Sequence, residues 1–395
     1  MKTLGIVLAL VAVAGFVNAE PFMIRSFQPA GSLTFNAMSN ATSYRVEWAS
    51  SPAGPWTNFS GGAAGLNAIT ATGEGVVTAA VPLTAAALIC YRAVADIANY
   101  LVVDLSGGPT ASSYPVSYLT NVPAGGWTDE YKTTKMVFRQ IPAGTFVMGS
   151  PADELGRDSD EIQHQVTLTQ PFCMGVFKVT QRQWEQVMGT WPSYFTNASY
   201  RDARPVELVR YNDIRGATAG AGWPASNNVD ATSFMGTLRA RTGRGFDLPT
   251  ESQWEYAGRA GTATALNSGY NLTNTSSDAH MAQVGRYWYN GGSSGLNHQN
   301  DNTSVGTAKV GSYLPNQWGL YDMHGNVWEE CLDWYGTYPG TASDPNGATT
   351  GLYRVLRGGS WGAKAYDCRV AHRASGDPRD TGIISGFRVA LPPGQ

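Results

Sequence analysis

Four positions within one short stretch carry the oxygen atoms that hard cations prefer. Asp322 and Glu329 are carboxylates, and Gly325 and Val327 between them offer backbone carbonyls. Ca²⁺ takes several such oxygens in a flexible geometry. An acidic turn is the alternative, because Gly325-Asn326 is also good turn chemistry. The stretch therefore predicts a calcium site, with the acidic turn left open.

A possible nucleophile lies at Ser360, in the centre of the pattern Gly358-Gly359-Ser360-Trp361-Gly362. The pattern matches the nucleophile elbow of hydrolases, which requires a strand before it and a helix after it. Tyr353 to Leu356 is a plausible strand, but no helical pattern follows the serine. His372 comes later in the chain, yet no carboxylate is indicated to orient it. Serine hydrolase chemistry is therefore not favoured.

The cysteines are too few for a disulfide scaffold. There are four, with three possible pairings among them: Cys90, Cys173, Cys331 and Cys368. Cys90 and Cys173 lie in apolar strand patterns that favour buried free thiols. The five histidines form no His-x3-His or His-Glu-x2-His pattern, so a catalytic zinc site is not predicted.

An acidic run lies between residues 153 and 161. It contains five carboxylates within nine positions: Asp153, Glu154, Asp158, Asp160 and Glu161. Such a run is most often a solvated loop, and less often the rim of a cation or ligand site.

Composition excludes several classes of protein. Aromatic residues make up 11% of the 395 residues, which excludes a disordered chain. The net charge is −3 and no basic cluster occurs, so a nucleic-acid partner is not expected. No apolar run is long enough to span a membrane.

The first 19 residues have the three parts of a secretory signal peptide. Lys2 is the positive charge, Leu4 to Phe16 is a short apolar run, and small residues at Val17-Asn18-Ala19 suit cleavage. The sequence therefore predicts a secreted or periplasmic/extracellular protein.

The remaining chain divides into three predicted parts. Residues 20–112 read as short strands, and their spacing resembles a small fibronectin type III-like β-sandwich. Residues 113–135, rich in Gly, Ser, Pro and Thr, are predicted to be a linker. Residues 136–392 form the second domain, which is loop-rich.

Local signals place elements in this second domain. Thr180 with Gln183, and Thr250 with Gln253, fit capping boxes that open helices at 181–188 and 251–259. A third helix is predicted at 231–241, stopped by Gly243. Pro142-Ala143-Gly144 predicts a hairpin between strands at 138–141 and 145–148.

Six motifs in order along the second domain resemble the formylglycine-generating enzyme, or sulfatase-modifying factor, family. They are Ile141-Pro142-Ala143-Gly144-Thr145-Phe146-Val147-Met148-Gly149-Ser150; Lys178-Val179-Thr180; Asp247-Leu248-Pro249-Thr250-Glu251-Ser252-Gln253-Trp254-Glu255-Tyr256-Ala257; Trp318-Gly319-Leu320-Tyr321-Asp322-Met323-His324-Gly325-Asn326-Val327-Trp328-Glu329; Arg357-Gly358-Gly359-Ser360-Trp361; and Gly386-Phe387-Arg388-Val389-Ala390. The resemblance implies an α+β, C-type-lectin-like fold with little regular secondary structure.

The same resemblance implies roles for individual residues. Ser360 and Trp328 match residues that line the family's pocket, and Cys331 with Cys368 is expected to form a disulfide. Asp322, Gly325, Val327 and Glu329 match the family's calcium ligands.

The family's oxidases hold copper with two cysteines, and this chain departs from that pattern. Ala363 occupies the position of the first cysteine, while Cys368 falls on the second only by ungapped counting. Copper(I) requires soft thiolate ligands, so copper is not expected here.

Two functions remain open. The first is an exported, calcium-stabilised binding or accessory protein that recognises a protein or glycan. The alternative is a formylglycine-generating oxidase that acts on the cysteine of a sulfatase.

Overall fold

The structure is a computed structural model that describes residues 98–291 and 306–392 in full. Before residue 98 it describes only the backbone of strands, so the predicted signal peptide lies outside the described residues. The chain divides into two compact units, one of residues 1–100 with 118–122, the other of residues 101–117 with 123–395.

Six strands belong to the first unit. They are β1 (Ile24–Gln28), β2 (Ser32–Asn36), β3 (Ala41–Ala49), β4 (Thr57–Asn58), β5 (Val76–Ala80) and β6 (Cys90–Ile97). They form two antiparallel three-stranded sheets, in the orders β1-β2-β5 and β4-β3-β6. The loops and side chains that would identify a fibronectin type III-like sandwich lie outside the described residues, so that module stays a prediction.

Short strands dominate the rest of the chain. They are β7 (Tyr100–Asp104), β8 (Val116–Leu119), β9 (Lys135–Ile141), β10 (Gly144–Met148), β11 (His164–Leu168), β12 (Phe172–Gly175), β13 (Gly285–Arg286), β14 (His324–Gly325), β15 (Trp328–Trp334), β16 (Ala342–Ser343), β17 (Arg354–Arg357), β18 (Arg373–Gly376), β19 (Ser385–Gly386) and β20 (Ala390–Leu391). A five-stranded sheet has the order β20-β12-β9-β7-β8, and a four-stranded sheet has the order β18-β17-β15-β19. Smaller sheets join β10-β11-β16 and β13-β14.

The five α-helices among the described residues are short. They are α1 (Gln181–Met188), α2 (Tyr211–Arg215), α3 (Phe234–Thr242), α4 (Glu251–Arg259) and α5 (Met281–Val284). The capping boxes of Thr180 and Thr250 are both present, and they confirm the predicted bounds of α1 and α4. The third predicted helix begins later than expected, because Ser233 caps it. Few helices among many strands agree with the mixed α and β class.

Strands β7 and β8 lie on the two sides of the predicted boundary after residue 112. β8 lies inside the stretch predicted to be a linker, and β7 lies in the stretch assigned to the first module. Both belong to the same sheet as β9. The apolar run from Tyr100 to Val103 is buried, which explains why this segment pairs instead of crossing solvent.

The predicted hairpin at Pro142-Ala143-Gly144 is wrong. β9 pairs with β12 in the five-stranded sheet, whereas β10 pairs with β11 in a different sheet. The chain passes close to Tyr256 at Gly144, where a Cβ atom would collide with the tyrosine hydroxyl. Glycine is therefore needed at this crossing between sheets, and not for a tight turn.

The core gathers around α4. Trp254 is fully buried there and packs with Met323, Cys331 and Val355 in one apolar cluster. In the part of the chain that the structure describes, no helix combines the length and the apolar character needed to cross a bilayer.

Candidate functional site

Four buried ionisable residues meet beneath the strand β15, and we call them the buried ion cluster: Lys178, Asp322, Glu329 and Arg388. Glu329 lies in β15, Lys178 follows β12, and Arg388 precedes β20. Each flanks apolar residues that enter the core, so the folding of these strands carries the charges inside.

Glu329 is the centre of this cluster. Its Oε2 accepts hydrogen bonds from Trp254 Nε1 at 2.8 Å and from Arg388 Nε at 3.0 Å. Its Oε1 accepts from Arg388 Nη2 at 3.0 Å and from the ammonium group of Lys178. Burial alone would raise the pKa of Glu329, but Arg388 and Lys178 lower it to about 2. The carboxylate is therefore ionised and fully bonded.

Lys178 bears directly on the predicted calcium site. Its Nζ donates to Val327 O at 2.9 Å as well as to Glu329, so an ammonium group contacts two of the four predicted ligands. Asp322 Oδ2 accepts from Gly311 N at 2.7 Å, while its Oδ1 has no hydrogen-bond partner among the described residues. With Lys178 in place the four residues do not fit calcium, and calcium binding stays a prediction that requires the lysine to move.

Of the two predicted pocket residues, Ser360 lies in the turn after β17, whereas Trp328 is the first residue of β15. Gly358 and Gly359 have positive φ angles of 91° and 76°. A Cβ atom on Gly359 would collide with Cys368 Sγ, so this glycine lets the turn pass over the thiol. Ser360 is buried, and its Oγ accepts from Gly362 N at 3.3 Å. The residues directly after it form a turn, which is followed by a short 3-10 helix at Tyr366–Cys368.

The two cysteines expected to pair occupy different environments. Cys331 belongs to the apolar cluster around Trp254, and Cys368 belongs to another cluster that contains Ala363 and Tyr287. Both thiols are free in the structure. The predicted Cys331–Cys368 disulfide is therefore not formed here, because each sulfur packs into a separate part of the core. Cys173 is also free, as predicted, but it is half-buried and not fully buried.

The position that resembles the first catalytic cysteine carries a methyl group. Ala363 is 9% exposed, and its carbonyl accepts the backbone N–H of Trp288 at 2.8 Å. Cys368 is fully buried, and burial raises the pKa of its thiol. Because the thiolate is the form that binds metals, Cys368 is poorly suited to do so.

The acidic run is not a simple solvated loop. Glu161 is fully buried and accepts from Arg369 through both oxygens, at 2.6 Å to Nη2 and 2.8 Å to Nη1. Ser150 Oγ donates to the same carboxylate at 2.6 Å. Glu154 also accepts from Arg369 Nη1, at 2.6 Å. These contacts fix the run against the segment that follows Ser360.

His372 contacts both this run and Trp328, one of the predicted pocket residues. Its Nδ1 lies 3.2 Å from Asp158 Oδ2 and 3.7 Å from Glu161 Oε1. Its ring centroid is 5.7 Å from that of Trp328. We call Asp158, Glu161 and His372 the acidic-loop cluster.

Sequence reasoning missed the partners of both clusters. Lys178 and Arg388 stand in the apolar strings Val176-Phe177-Lys178-Val179 and Gly386-Phe387-Arg388-Val389, and a charge within such a string was the available signal of a buried ion. The carboxylates that face His372 gave no local signal, because they come from a distant part of the chain.

One cavity of about 430 Å³ lies away from these residues. It is bordered by Trp184, Leu208, Asp213 and Asp230, and it contains none of the predicted site residues. We therefore locate the candidate site by its side-chain chemistry.

Comparison with known proteins identifies the family. The family model described as "Sulfatase-modifying factor enzyme 1-like domain" matches residues 127–392. The chain belongs to this family. The match begins at residue 127, nine residues before the predicted start of the second domain at residue 136.

Relatives within the family carry different names. The formylglycine-generating enzyme of Thermomonospora curvata is 29% identical over 287 residues, which cover 64% of this chain and 92% of that enzyme. The serine/threonine-protein kinase pkn1 of Chlamydia caviae is 32% identical, but only 38% of its length is covered, against 65% of this chain. The chaperone protein LppX of Paenibacillus barcinonensis is 29% identical, with 57% of this chain and 81% of that protein covered.

Two of the solved structures are similar to this chain to the same extent. Treponema denticola variable protein 1 has a TM-score of 0.49 at 27% identity, covering 66% of this chain and 96% of that one. PvdO from Pseudomonas aeruginosa has a TM-score of 0.49 at 27% identity, covering 65% and 94%.

Proposed function

We propose that this protein is an exported member of the family that lacks the two-cysteine oxidation chemistry and recognises a protein or a glycan through a lectin-like domain. The observation that carries the proposal is the environment of position 363. A methyl group stands where the resemblance to the oxidases expects a thiol, so a two-thiolate copper site has only one candidate ligand.

Cys368 supports the same conclusion. Its side chain is fully buried beneath Gly359, and burial disfavours the thiolate. A metal or a peptide substrate would need both access and a deprotonated sulfur. The remaining cysteine therefore suits packing better than redox chemistry.

An aromatic surface next to position 363 supports recognition. Trp288 and Tyr289 are 37% and 46% exposed, and Trp288 is joined to Ala363 by a backbone hydrogen bond. Exposed aromatic side chains with a polar edge are favoured where proteins bind partners. The partner would contact this surface, beside the position that matches the first catalytic cysteine of the oxidases.

Arrays of glycans and of surface proteins test this proposal. We expect a positive signal that Trp288→Ala and Tyr289→Ala reduce at least tenfold, since a residue at the centre of an interface contributes about 2 kcal/mol or more. Leu352→Ala is the matched control, because Leu352 is 79% exposed in another loop. Silence across both arrays, or equal losses in the control, would contradict the proposal.

The alternative is an oxidase that acts on the cysteine of a sulfatase. The similarity to the Thermomonospora curvata enzyme over 92% of its length favours it. The protein is incubated with a Cys-x-Pro-x-Arg peptide, copper and oxygen, and the aldehyde is sought by mass spectrometry. We expect no conversion by the natural chain. Turnover by the natural chain would establish the oxidase and remove the proposal that the chemistry is lost.

Ala363→Cys is the informative variant in this assay. If the surrounding pocket still suits the reaction, the added thiol gives conversion that the natural chain lacks. Inactivity of both proteins is expected if the pocket has also changed for recognition.

A further inference from the structure

We propose that Asp158, Glu161 and His372 bind a divalent first-row transition-metal ion. The three side chains place one ligand atom each within 4.8 Å of one another. The acidic cluster is accompanied by an independent feature, since His372 is 7% exposed and its Nδ1 has no hydrogen-bond partner among the described residues. That nitrogen is aimed at the two carboxylates.

The spacing suits a single ion. A metal bonded to nitrogen and oxygen at about 2.0–2.2 Å holds its ligands roughly 3–3.5 Å apart. The nitrogen of His372 lies 3.2 Å from Asp158 Oδ2 and 3.7 Å from Glu161 Oε1. Glu161 is held by Arg369 through both oxygens, so it would offer the ion a further lone pair of Oε1. Small movements of Asp158 and His372 would then bring the three atoms to bonding distance.

The local charge favours a cation. Glu154 and Glu161 both pair with the guanidinium group of Arg369, Arg259 is a further positive neighbour of Glu154, and Asp158 adds a third carboxylate. The arrangement therefore keeps excess negative charge beside His372. A set of one imidazole and two carboxylates suits zinc, manganese or iron better than copper(I).

The other edge of the imidazole ring has a carboxylate as well. His372 Nε2 lies 3.9 Å from Asp367 Oδ1, and Asp367 is held by the backbone N–H of Lys364 at 2.9 Å. Histidines that bind metals usually direct their second nitrogen to such a group, which fixes the ring. At 3.9 Å the contact with Asp367 is electrostatic and not a hydrogen bond, so it favours the ring orientation with Nδ1 towards Asp158 and Glu161 without fixing it.

The open side of the site lies at Asp158. Its side chain is 52% exposed, while those of Glu161 and His372 are buried. A metal could enter there and keep water on its outer face. The ring of His372 then separates the ion from Trp328, one of the predicted pocket residues.

A proton on His372 is the competing occupant, because a charged imidazole would pair with the same carboxylates. Titration calorimetry of the full chain with Zn²⁺ separates the two. We expect one Zn²⁺ per chain, with affinity reduced tenfold or more in Asp158→Asn and in His372→Gln, since even outer-shell changes cost about 10–100-fold.

Asp153→Asn is the matched control, because it removes the same charge from an exposed position of the same run. It should bind Zn²⁺ like the natural chain. No binding by the natural chain would assign the site to a proton and overturn the proposal. Equal weakening by Asp153→Asn and Asp158→Asn would also overturn it, because only the general charge of the loop would then matter.

Discussion

The buried ion cluster and the acidic-loop cluster both place carboxylates beside basic side chains, but they do so in opposite ways. In the first, Lys178 and Arg388 occupy both oxygens of Glu329, and all three side chains are fully buried. In the second, the nitrogen of His372 faces two carboxylates, and Asp158 is 52% exposed. The first cluster surrounds its central carboxylate with two cations, whereas the second pairs Glu161 with Arg369 and places the half-exposed Asp158 beside the unbonded nitrogen of His372.

This difference distinguishes charged groups that stabilise the fold from charged groups that remain able to bind an ion. Buried ions that are fully paired hold one arrangement of the strands, and losing one partner exposes the others to a large desolvation penalty. A partly exposed set with an unbonded nitrogen can bind and release an ion without unfolding the chain. Mutations in the two clusters should therefore have different readouts.

Removing the central carboxylate should have the largest effect. Glu329→Gln leaves Lys178 and Arg388 buried with no negative partner between them. We expect the free energy of unfolding to fall by about 5 kcal/mol, measured by urea denaturation. Glu130→Gln is the control, since Glu130 is 47% exposed in its pair with Lys135 and should change stability by less than about 1 kcal/mol. Similar losses in both variants would show that burial does not set the cost.

Replacing the internal ammonium group tests the calcium prediction. Lys178→Met should lower the free energy of unfolding by about 3–4 kcal/mol, with Arg388 still paired to Glu329. It also frees the oxygens of Val327 and Glu329 beside the unpartnered Asp322 Oδ1. We expect Ca²⁺ to raise the Tm of this variant, restoring about 2.7 kcal/mol at a hundredfold excess over Kd.

The natural chain is the control for the same melts. With Lys178 in place, neither Ca²⁺ nor a chelator should move its Tm. A calcium-dependent Tm in the natural chain would show that the lysine leaves and that the predicted calcium site is real. A variant that ignores Ca²⁺ would show that these oxygens do not form a cation site at all.

How well the sequence predicts a feature depends on whether the interactions that form it are local or long-range along the chain. The capping boxes at Thr180 and Thr250 are local, and the two helices have the predicted bounds. The strands β9 and β10 were also found locally, but their partners were not, since pairing depends on the rest of the sheet. The motif Lys178-Val179-Thr180 does not reveal the role of Lys178, because only the fold brings its ammonium group to Glu329.

His324, a buried histidine near Lys178 of the buried ion cluster, should make stability depend on pH. Burial lowers the pKa of His324 from 6.5 to about 4. Its Nδ1 lies 2.7 Å from Cys368 O, and its Nε2 accepts from Asn267 N at 3.0 Å. Between pH 6.5 and 4 this histidine is protonated in the unfolded chain but neutral in the folded chain. The difference lowers the free energy of unfolding by about 3 kcal/mol over that range.

Two neighbouring acids act in the opposite direction. Burial raises the pKa of Glu330 and of Asp333 to about 8, so the folded chain takes up protons first and gains stability as the pH falls from 8. The contribution of His324 is therefore measured as a difference from His324→Gln. The natural chain should lose more stability than the variant from pH 6.5 to 4, and parallel curves would contradict the assignment.

The smallest effect on stability is expected at the acidic-loop cluster. Asp158→Asn, without added metal, should change the free energy of unfolding by no more than about 0.5 kcal/mol, because the side chain is half exposed. Its effect should appear in Zn²⁺ binding instead. Urea denaturation in the presence of a chelator measures the first quantity without the second. A loss comparable to that of Glu329→Gln would show that Asp158 is structural, and the distinction between the two clusters would fail.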